Sequence, residues 1–386
     1  MMVSRFRPTY SYRNLINSLF ADYIRSEKIL TEWAEDNFKS KNIFFYSFAR
    51  VGLYAFLASL KLKGGVISPA YNCIVVPDSV RFAKMENQFC DISLDDYNMS
   101  PKSVENTIDS QSKVILATHQ YGIPCDVESL GRIAKKNDLF LFEDSAAALG
   151  GKIEGKLAGS FGDASLISFQ DTKTINSVNG GCLIVHNKNI AEKIKKTYFK
   201  SSVKDKMNYF KKGMIYKMAT EPIFYRFVFE YFTRKSGRYT LREVSLKKIP
   251  KDFLSGLNIF SLNLIVEQIK DLEKIVEKKN KIANVYSEKI NPEKTSLSKV
   301  TNGTISSWER YPIRVKDSVN FFKKMTKKGV DMAWTFNYTC PEELKQDDKM
   351  FPNAREAADT VICLPIYKDL SLQRAEKIAF LVNQSS

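Results

Sequence analysis

From Asn42 to Val185, short apolar runs alternate with amphipathic or polar stretches. Val66-Ile67-Ser68, Gln88 to Asp91, Val114 to Ala117, Leu139 to Phe142, Ala164 to Phe169 and Cys182 to Val185 read as buried strands. They are short, apolar and rich in β-branched and aromatic residues. Between them, Ser79 to Met85 and Val127 to Lys136 are amphipathic and predict helices. Short buried strands separated by helices pair in parallel, so the pattern predicts an α/β layered domain. In such a sheet ligands bind at the carboxyl ends of the strands, which makes the polar residues that follow them the first candidates for a site. Farther along, Leu257 to Ile290 reads as one long amphipathic helix, with Ile265, Ile269, Leu272, Ile275 and Val276 on one face. From Ser306 onward the pattern is α+β again, with Tyr311 to Val315 as a strand and a final helix from about Ser371. A domain boundary is expected inside the long helix, near residue 270.

Composition narrows the class. With 386 residues, 44% hydrophobic and 26% charged, the chain has an ordinary globular balance that excludes a disordered or fibrous protein. It has no uncharged apolar run long enough for a transmembrane helix. Met1 to Arg13 is basic and aromatic without a continuous apolar core, so no secretory signal is expected. The six cysteines are scattered, with no CxxC pair and only His119 and His186 besides, which leaves no zinc-ligand spacing. Reduced thiols, a soluble cytoplasmic protein and no metal are the expectation. GxGxxG and GxxxxGK[ST] are both missing, which disfavours dinucleotide and P-loop enzymes.

The net charge of +16 is concentrated. Lys193 to Lys251 holds 17 Lys or Arg against 4 Asp or Glu, together with 12 Tyr or Phe, among them Tyr209, Phe210, Phe224, Tyr225, Phe227, Phe229, Tyr231 and Phe232. Lys217/Glu221 and Arg226/Glu230 are i, i+4 pairs that satisfy each other on a helix, and Pro222 suits a first-turn position. A helical insertion of about 193–251 follows. A solvated basic face is the plain reading. So many aromatic residues on a solvated insertion would leave a large apolar patch, which a dimer interface or an anionic lipid surface would cover. Nucleic acid is disfavoured, because base-stacking platforms sit on open sheets or grooves.

Two residues near strand ends carry candidate chemistry. Asp144 follows Leu139 to Phe142 with Glu143 between, and Lys173 follows the strand ending at Phe169, ahead of Asn179-Gly180-Gly181. A carboxylate and a lysine at neighbouring strand ends suit pyridoxal phosphate, with the lysine forming the Schiff base and the carboxylate keeping the pyridine nitrogen protonated. On spacing alone the signal is weak, and an Asp and a Lys 29 residues apart also read as a surface pair.

The wording of the chain goes further. Phe142-Glu143-Asp144-Ser145-Ala146, Gly155 to Asp163, and Ser168-Phe169 with Lys173 and Gly180-Gly181 closely resemble the DegT/StrS family of sugar aminotransferases, which are fold-type I pyridoxal-phosphate enzymes. His119-Gln120-Tyr121-Gly122, Pro69 to Cys73, and Cys363 to Tyr367 with Leu370-Ser371 resemble further family motifs, in the same order along about residues 40–385. The resemblance implies an N-terminal arm (1–40), a large α/β domain with a mostly parallel seven-stranded sheet (41–270) and a smaller C-terminal α+β domain (271–386). It implies Lys173 as the Schiff-base lysine and proton carrier, Asp144 at the pyridine nitrogen, Ser168 at the phosphate, and backbone N–H groups of Ala49 and Arg50 as phosphate donors at a helix start. A homodimer is implied as well.

Departures from the family pattern bear on the substrate pocket. Ala147 stands where the family commonly has Gln against the ring, and Cys73 where an aromatic usually stacks, with Tyr71 two residues away. Arg50 replaces a threonine and is a candidate for phosphate or substrate. Tyr71 and His119 are further substrate candidates, although His119 reads better as a structural hydrogen-bonder. Asn258 is the nearest match for the asparagine that reaches the cofactor phosphate from the neighbouring subunit. A dehydratase relative carries His at the lysine position; Lys173 therefore favours transamination. The expected reaction moves an amino group from an amino acid, L-glutamate by preference, to a keto-sugar in glycan biosynthesis. That sugar is nucleotide-linked, or lipid-linked if the basic segment lies on a membrane. A different pyridoxal-phosphate outcome and a non-catalytic regulator are the rival readings.

Overall fold

The computed structural model describes residues 2–196, 205–236, 245–249 and 255–386. Parts of the basic, aromatic stretch, at 197–204, 237–244 and 250–251, lie outside the described residues, as does the side chain of Phe232.

Two helices, α1 (Tyr12–Phe20) and α2 (Tyr23–Phe38), precede the sheet. Strands β1 (Ile43–Tyr46), β2 (Gly65–Pro69), β3 (Glu86–Cys90), β4 (Ser112–Thr118) and β5 (Phe140–Asp144) then alternate with helices α3 (Ala49–Leu60), α4 (Val75–Phe82), α5 (Pro101–Thr107) and α6 (Val127–Lys136). A short hairpin, β6 (Lys152–Ile153) and β7 (Lys156–Leu157), is followed by β8 (Ala164–Ser168), β9 (Gly181–Val185) and α7 (Lys188–Lys195). The seven strands lie in the order β1-β9-β8-β5-β4-β2-β3. Strands β3, β2, β4, β5 and β8 run parallel, and β9 is antiparallel to both β8 and β1.

Successive residues of each central strand serve opposite layers. Val66, Val114, Leu116 and Phe142 pack with α3 and α4 on one face. Ile67, Ile115 and Leu141 meet Val127, Leu130 and Ile133 of α6 on the other. Both faces are apolar because both are covered, and each fully buried Val, Leu, Ile or Phe side chain contributes about 1.5–3 kcal/mol. Helix α4 starts and stops earlier than the pattern suggests: it ends at Phe82, and Lys84 takes a left-handed φ of 59°.

The stretch Leu257 to Ile290 is not one helix. It divides into α10 (Ile259–Ile269) and α11 (Leu272–Lys289) around Lys270-Asp271. Ile265, Ile269, Leu272, Ile275 and Val276 nevertheless share one apolar cluster with Leu30 and Ala34 of α2 and Phe45 and Ile184 of the sheet. That continuity of the apolar face across the break is what made the two helices read as one. Beyond α11 come β10 (Ser296–Leu297), β11 (Thr304–Ile305), β12 (Tyr311–Arg314), α12 (Ser318–Lys327), α13 (Cys340–Glu343), α14 (Pro352–Thr360), β13 (Val361–Leu364) and α15 (Leu372–Asn383). Antiparallel β10-β12-β13 packs with α11, α12 and α15 through Ile282, Ile313, Phe322, Ile362 and Ile378. Strand β11 leaves that layer and pairs with β6.

The insertion folds as α8 (Lys206–Ala219) and α9 (Pro222–Ser236), with Pro222 in the first helical position. Its aromatic residues are divided in use. Tyr209, Phe210 and Tyr216 pack against a cluster of Tyr10, Leu15, Phe260 and Leu264, and Tyr225 is buried. Ile215, Met218, Ile223, Phe224 and Phe227 are exposed. Gly213 lets α8 approach α1, since a Cβ there would come within 2.7 Å of Leu15. The N-terminal residues tie this layer to the rest: Arg5 makes two hydrogen bonds to Asp331 (2.6 and 2.8 Å), Tyr225 donates to the same carboxylate, and Arg7 pairs with Glu221. No described helix is long and apolar enough to cross a membrane.

Candidate active site

The carboxyl ends of the parallel strands open into a cavity of about 470 Å³. Strand β5 delivers Asp144 as its last residue, β4 delivers Thr118, the turn after β2 presents Asn72 and Cys73, and the loop after β8 brings Asp171 and Lys173. That loop is closed by Ser177 N–H donating to Phe169 C=O (2.7 Å) and is clamped at Asn176 by hydrogen bonds with Gln268 of α10. Glu309 and Arg310 enter from the segment before β12, and Arg5, Phe6 and Tyr216 come from the N-terminal residues and α8.

Asp144 is buried, and burial raises its carboxyl pKa; the Ala146 N–H at 3.0 Å and the Lys173 cation pull the other way. Lys173 Nζ lies 3.4 Å from Glu309 Oε1, which also accepts from Thr172 Oγ1 at 3.2 Å. Burial raises the Glu309 pKa, but Lys173, Arg310 and Lys279 together outweigh it and hold this carboxyl below its usual value. Lys279, on α11, is wholly buried and donates to Thr174 Oγ1 at 3.2 Å. Burial, with repulsion from Lys173 and Arg310 and against attraction by Glu309, pushes its pKa down to about 7.

This shift has a sign that can be tested. An unfolded lysine keeps its proton to about pH 10.5, the folded one only to about 7, so the wild type loses stability as pH falls through that window. Lys279→Met is therefore expected to gain on the order of 2–3 kcal/mol relative to the wild type between pH 9 and pH 6. Urea unfolding at the two pH values measures it; an equal difference at both would count against the assignment.

Glu143, one residue before Asp144, is completely buried and points away from the cavity. Its Oε1 accepts from the N–H of Phe161 (2.5 Å) and Gly162 (2.6 Å), and its Oε2 from Gly159 N–H (2.8 Å) and His119 Nε2 (3.1 Å). His119 Nδ1 accepts Cys125 N–H at 3.0 Å, so the proton sits on Nε2 and the ring is neutral. The block from residue 155 to 163 thus wraps its backbone donors around the carboxylate beside the candidate catalytic one.

Several sequence candidates fall elsewhere. His119 is fully buried on Glu143 and does not line the cavity, which removes it as a substrate contact. Tyr71 is likewise buried; its hydroxyl bonds Tyr121 Oη at 2.6 Å, and it is Tyr121 that reaches the cavity wall. Cys73 and Ala147 line the cavity as small side chains. Asn258 caps its own helix, accepting from Phe260 N–H at 2.9 Å. Ser168, Ala49 and Arg50 lie outside the cavity lining but at the same sheet edge: Ser168 pairs with Gly181, and a Cβ on Gly181 would come within 2.3 Å of Ala49 N. Helix α3 starts there with no side-chain cap, and Ser47 Oγ and Arg50 Nε are buried beside it without hydrogen-bond partners. An uncapped helix start with orphaned donors is what a phosphate-bearing group requires. Asp144, Lys173 and this cradle together fit pyridoxal phosphate.

Sequence reasoning missed Glu309, Arg310, Asn72, Thr118, Asp171 and Tyr216; Asn72 and Thr118 follow strands and were within its reach. A larger cavity of about 930 Å³ lies between α2, α11 and residues 298–308, but its charged groups are surface-type pairs such as Lys152–Glu273 (3.0 Å). Among the described residues no cluster of His, Cys, Asp or Glu is arranged to hold a metal.

Comparison with known proteins agrees with the fold. The DegT/DnrJ/EryC1/StrS aminotransferase family profile matches residues 46–221 and 255–383. The dTDP-3-amino-3,6-dideoxy-alpha-D-galactopyranose transaminase of Aneurinibacillus thermoaerophilus is 25% identical over 294 residues, 75% of this chain and 69% of its own. The GDP-perosamine synthase of Escherichia coli O157:H7 is 32% identical over 181 residues, covering 45% of this chain and half of that enzyme. NtdA from Bacillus subtilis, solved with bound cofactor PMP, superposes with a TM-score of 0.73 at 17% identity, over 96% of this chain and 82% of its own. The chain belongs to the DegT/DnrJ/EryC1/StrS aminotransferase family and is a transaminase by class.

Proposed function

We propose that the protein is a pyridoxal-phosphate aminotransferase that moves the amino group of L-glutamate to a keto-sugar carried on a nucleotide. The observation that carries this reading is the meeting of Asp144 and Lys173 in one cavity at the sheet edge where α3 begins uncapped. Pyridoxal phosphate, held there, supplies the electron sink for amino transfer. Lys173 Nζ would anchor the cofactor and act as the proton carrier, with Glu309 Oε1, 3.4 Å away, steering the amine. Asp144 would pair with the ring nitrogen, which would add a positive partner to a carboxylate that burial disfavours. Ala49 and Arg50 backbone N–H groups, with Ser168, take the phosphate. Two relatives are named for amino-sugar synthesis on a nucleotide carrier, which supports the sugar acceptor.

The test is the near-ultraviolet and visible spectrum of the purified protein before and after L-glutamate. A cofactor band that moves to shorter wavelength on adding glutamate supports both cofactor and donor. A band indifferent to glutamate sinks the donor assignment, and no band after incubation with pyridoxal phosphate sinks the reading.

The homodimer belongs to the same proposal, with Asn258 offered to the neighbouring subunit's phosphate. So does a peripheral contact with anionic lipid, supported by exposed Ile215, Met218, Ile223, Phe224 and Phe227 beside Lys211, Lys212 and Arg226. Such a face is expected to co-sediment with phosphatidylglycerol vesicles at low salt. Protein left in the supernatant would rule the contact out.

A further inference from the structure

We propose that Tyr216 and Asp171 read a hydroxyl of the acceptor sugar, which makes the inserted helix α8 a specificity wall of the active site. The inference rests on the sugar-transaminase reading above and deepens it.

Tyr216 lines the cavity together with Asp171, Lys173 and Arg310. Its hydroxyl oxygen is buried and has no hydrogen-bond partner. Buried polar atoms are nearly always satisfied, and an orphan is a net cost to the fold. Nothing among the described residues repays that cost at Tyr216, so its partner is to be sought in what enters the cavity. The ring is held in place without using the hydroxyl. Phe6 stacks on it with centroids 5.6 Å apart and planes inclined by 20°. The face of α8 that carries Tyr209 and Gly213 is pinned: Tyr209 accepts from Asn179 at 2.9 Å, and the helix lies close on α1 at Gly213.

Asp171 supplies the complement. It sits two residues before Lys173 on the same wall, half-buried, and no described side chain hydrogen-bonds to it. Burial and the nearby Asp171 charge both raise the Tyr216 pKa, so the phenol keeps its proton and can donate. The pair therefore presents one donor-acceptor hydroxyl and one acceptor-only carboxylate. A sugar hydroxyl satisfies both at once, accepting from Tyr216 and donating to Asp171. The side-chain carboxylate of glutamate does not: Asp171 repels it, and Arg310 is its natural counter-ion in this cavity. The wall thus discriminates the acceptor from the donor, which must use the same cavity in turn. A site built to hydrogen-bond a substrate hydroxyl rejects a ligand that leaves its polar groups unpaired.

The experiment compares wild type, Tyr216→Phe and Asp171→Asn holoenzymes in separate half-reactions. L-glutamate probes the donor side; dTDP-, GDP- and UDP-linked keto-hexoses probe the acceptor side. In each variant kcat/KM for the acceptor that the wild type uses should fall at least tenfold more than kcat/KM for glutamate. Tyr216→Phe should melt at the wild-type temperature or above it, because it deletes an unsatisfied hydroxyl. Equal losses in the two half-reactions, or no loss in either, overturn the inference, as does a lower melting temperature of Tyr216→Phe. A wild type that reacts with glutamate but with none of the three acceptors overturns the sugar reading and this inference together. A wild type that uses an acceptor, with variants that keep its rate, overturns this inference alone.

Discussion

Lys173→Ala is expected to lower amino transfer by on the order of 10⁴-fold or more, because the proposed function asks one side chain both to anchor the cofactor and to carry the proton. No other lysine among the described residues lines the cavity. Lys279 is the nearest substitute, and it is spent on Thr174 Oγ1 at 3.2 Å behind the wall. Fold stability should suffer much less. Glu309 loses its 3.4 Å contact with Lys173 but keeps Arg310 at 3.6 Å and the hydrogen bond from Thr172. Circular dichroism and thermal melts would separate the two effects. Small primary amines added to the variant should restore part of the proton transfer, since the missing group is an amine in an otherwise intact cavity. A folded Lys173→Ala protein with more than about one per cent of wild-type turnover would be incompatible with both roles.

The fold was legible where burial on both faces writes a continuous apolar run. Strands β2, β4, β5, β8 and β9 are of that kind, and their helices could be placed between them. Strand β1 was not found, because its four residues, Ile43–Tyr46, carry too little pattern. The break between α10 and α11 was invisible for a different reason: neither Lys270 nor Asp271 is a helix breaker, and the apolar stripe runs through the junction. At the site, Asp144 and Lys173 were legible because each lies at or just beyond a strand end. Glu309, Arg310, Tyr216 and Arg5 were not, because they reach the cavity from segments far away in the chain and from helix and loop positions with no local signature. His119 and Tyr71 illustrate the converse. Their motifs were recognised, but a motif does not tell which side of a strand end faces solvent, and both point into the interior.

That distinction is sharpest in the neighbouring carboxylates Glu143 and Asp144, of which only the second faces the cavity. Glu143→Ala is expected to destabilise the protein by about 4 kcal/mol or more, far beyond an ordinary surface change. The wild-type carboxylate has no cation beside it and is kept in the interior by four donors: the N–H groups of Gly159, Phe161 and Gly162, and His119 Nε2. Removing it strands all four donors in a region where water cannot replace it. Glu143→Gln should lose less, about 2 kcal/mol, because one oxygen remains while the new NH₂ opposes donors that need an acceptor. The damage should also reach the active site. The His119 backbone N–H donates to Asp144 C=O at 3.1 Å, so a displaced imidazole is expected to loosen the strand end that presents Asp144 to the cavity. Cofactor retention on dialysis should therefore fall in the order wild type, Glu143→Gln, Glu143→Ala, in parallel with the urea midpoint. A Glu143→Ala protein within 1 kcal/mol of wild type would mean that the loop from Gly155 to Asp163 is held by something other than this carboxylate. Its close wording would then have to be explained by contacts on its outer face.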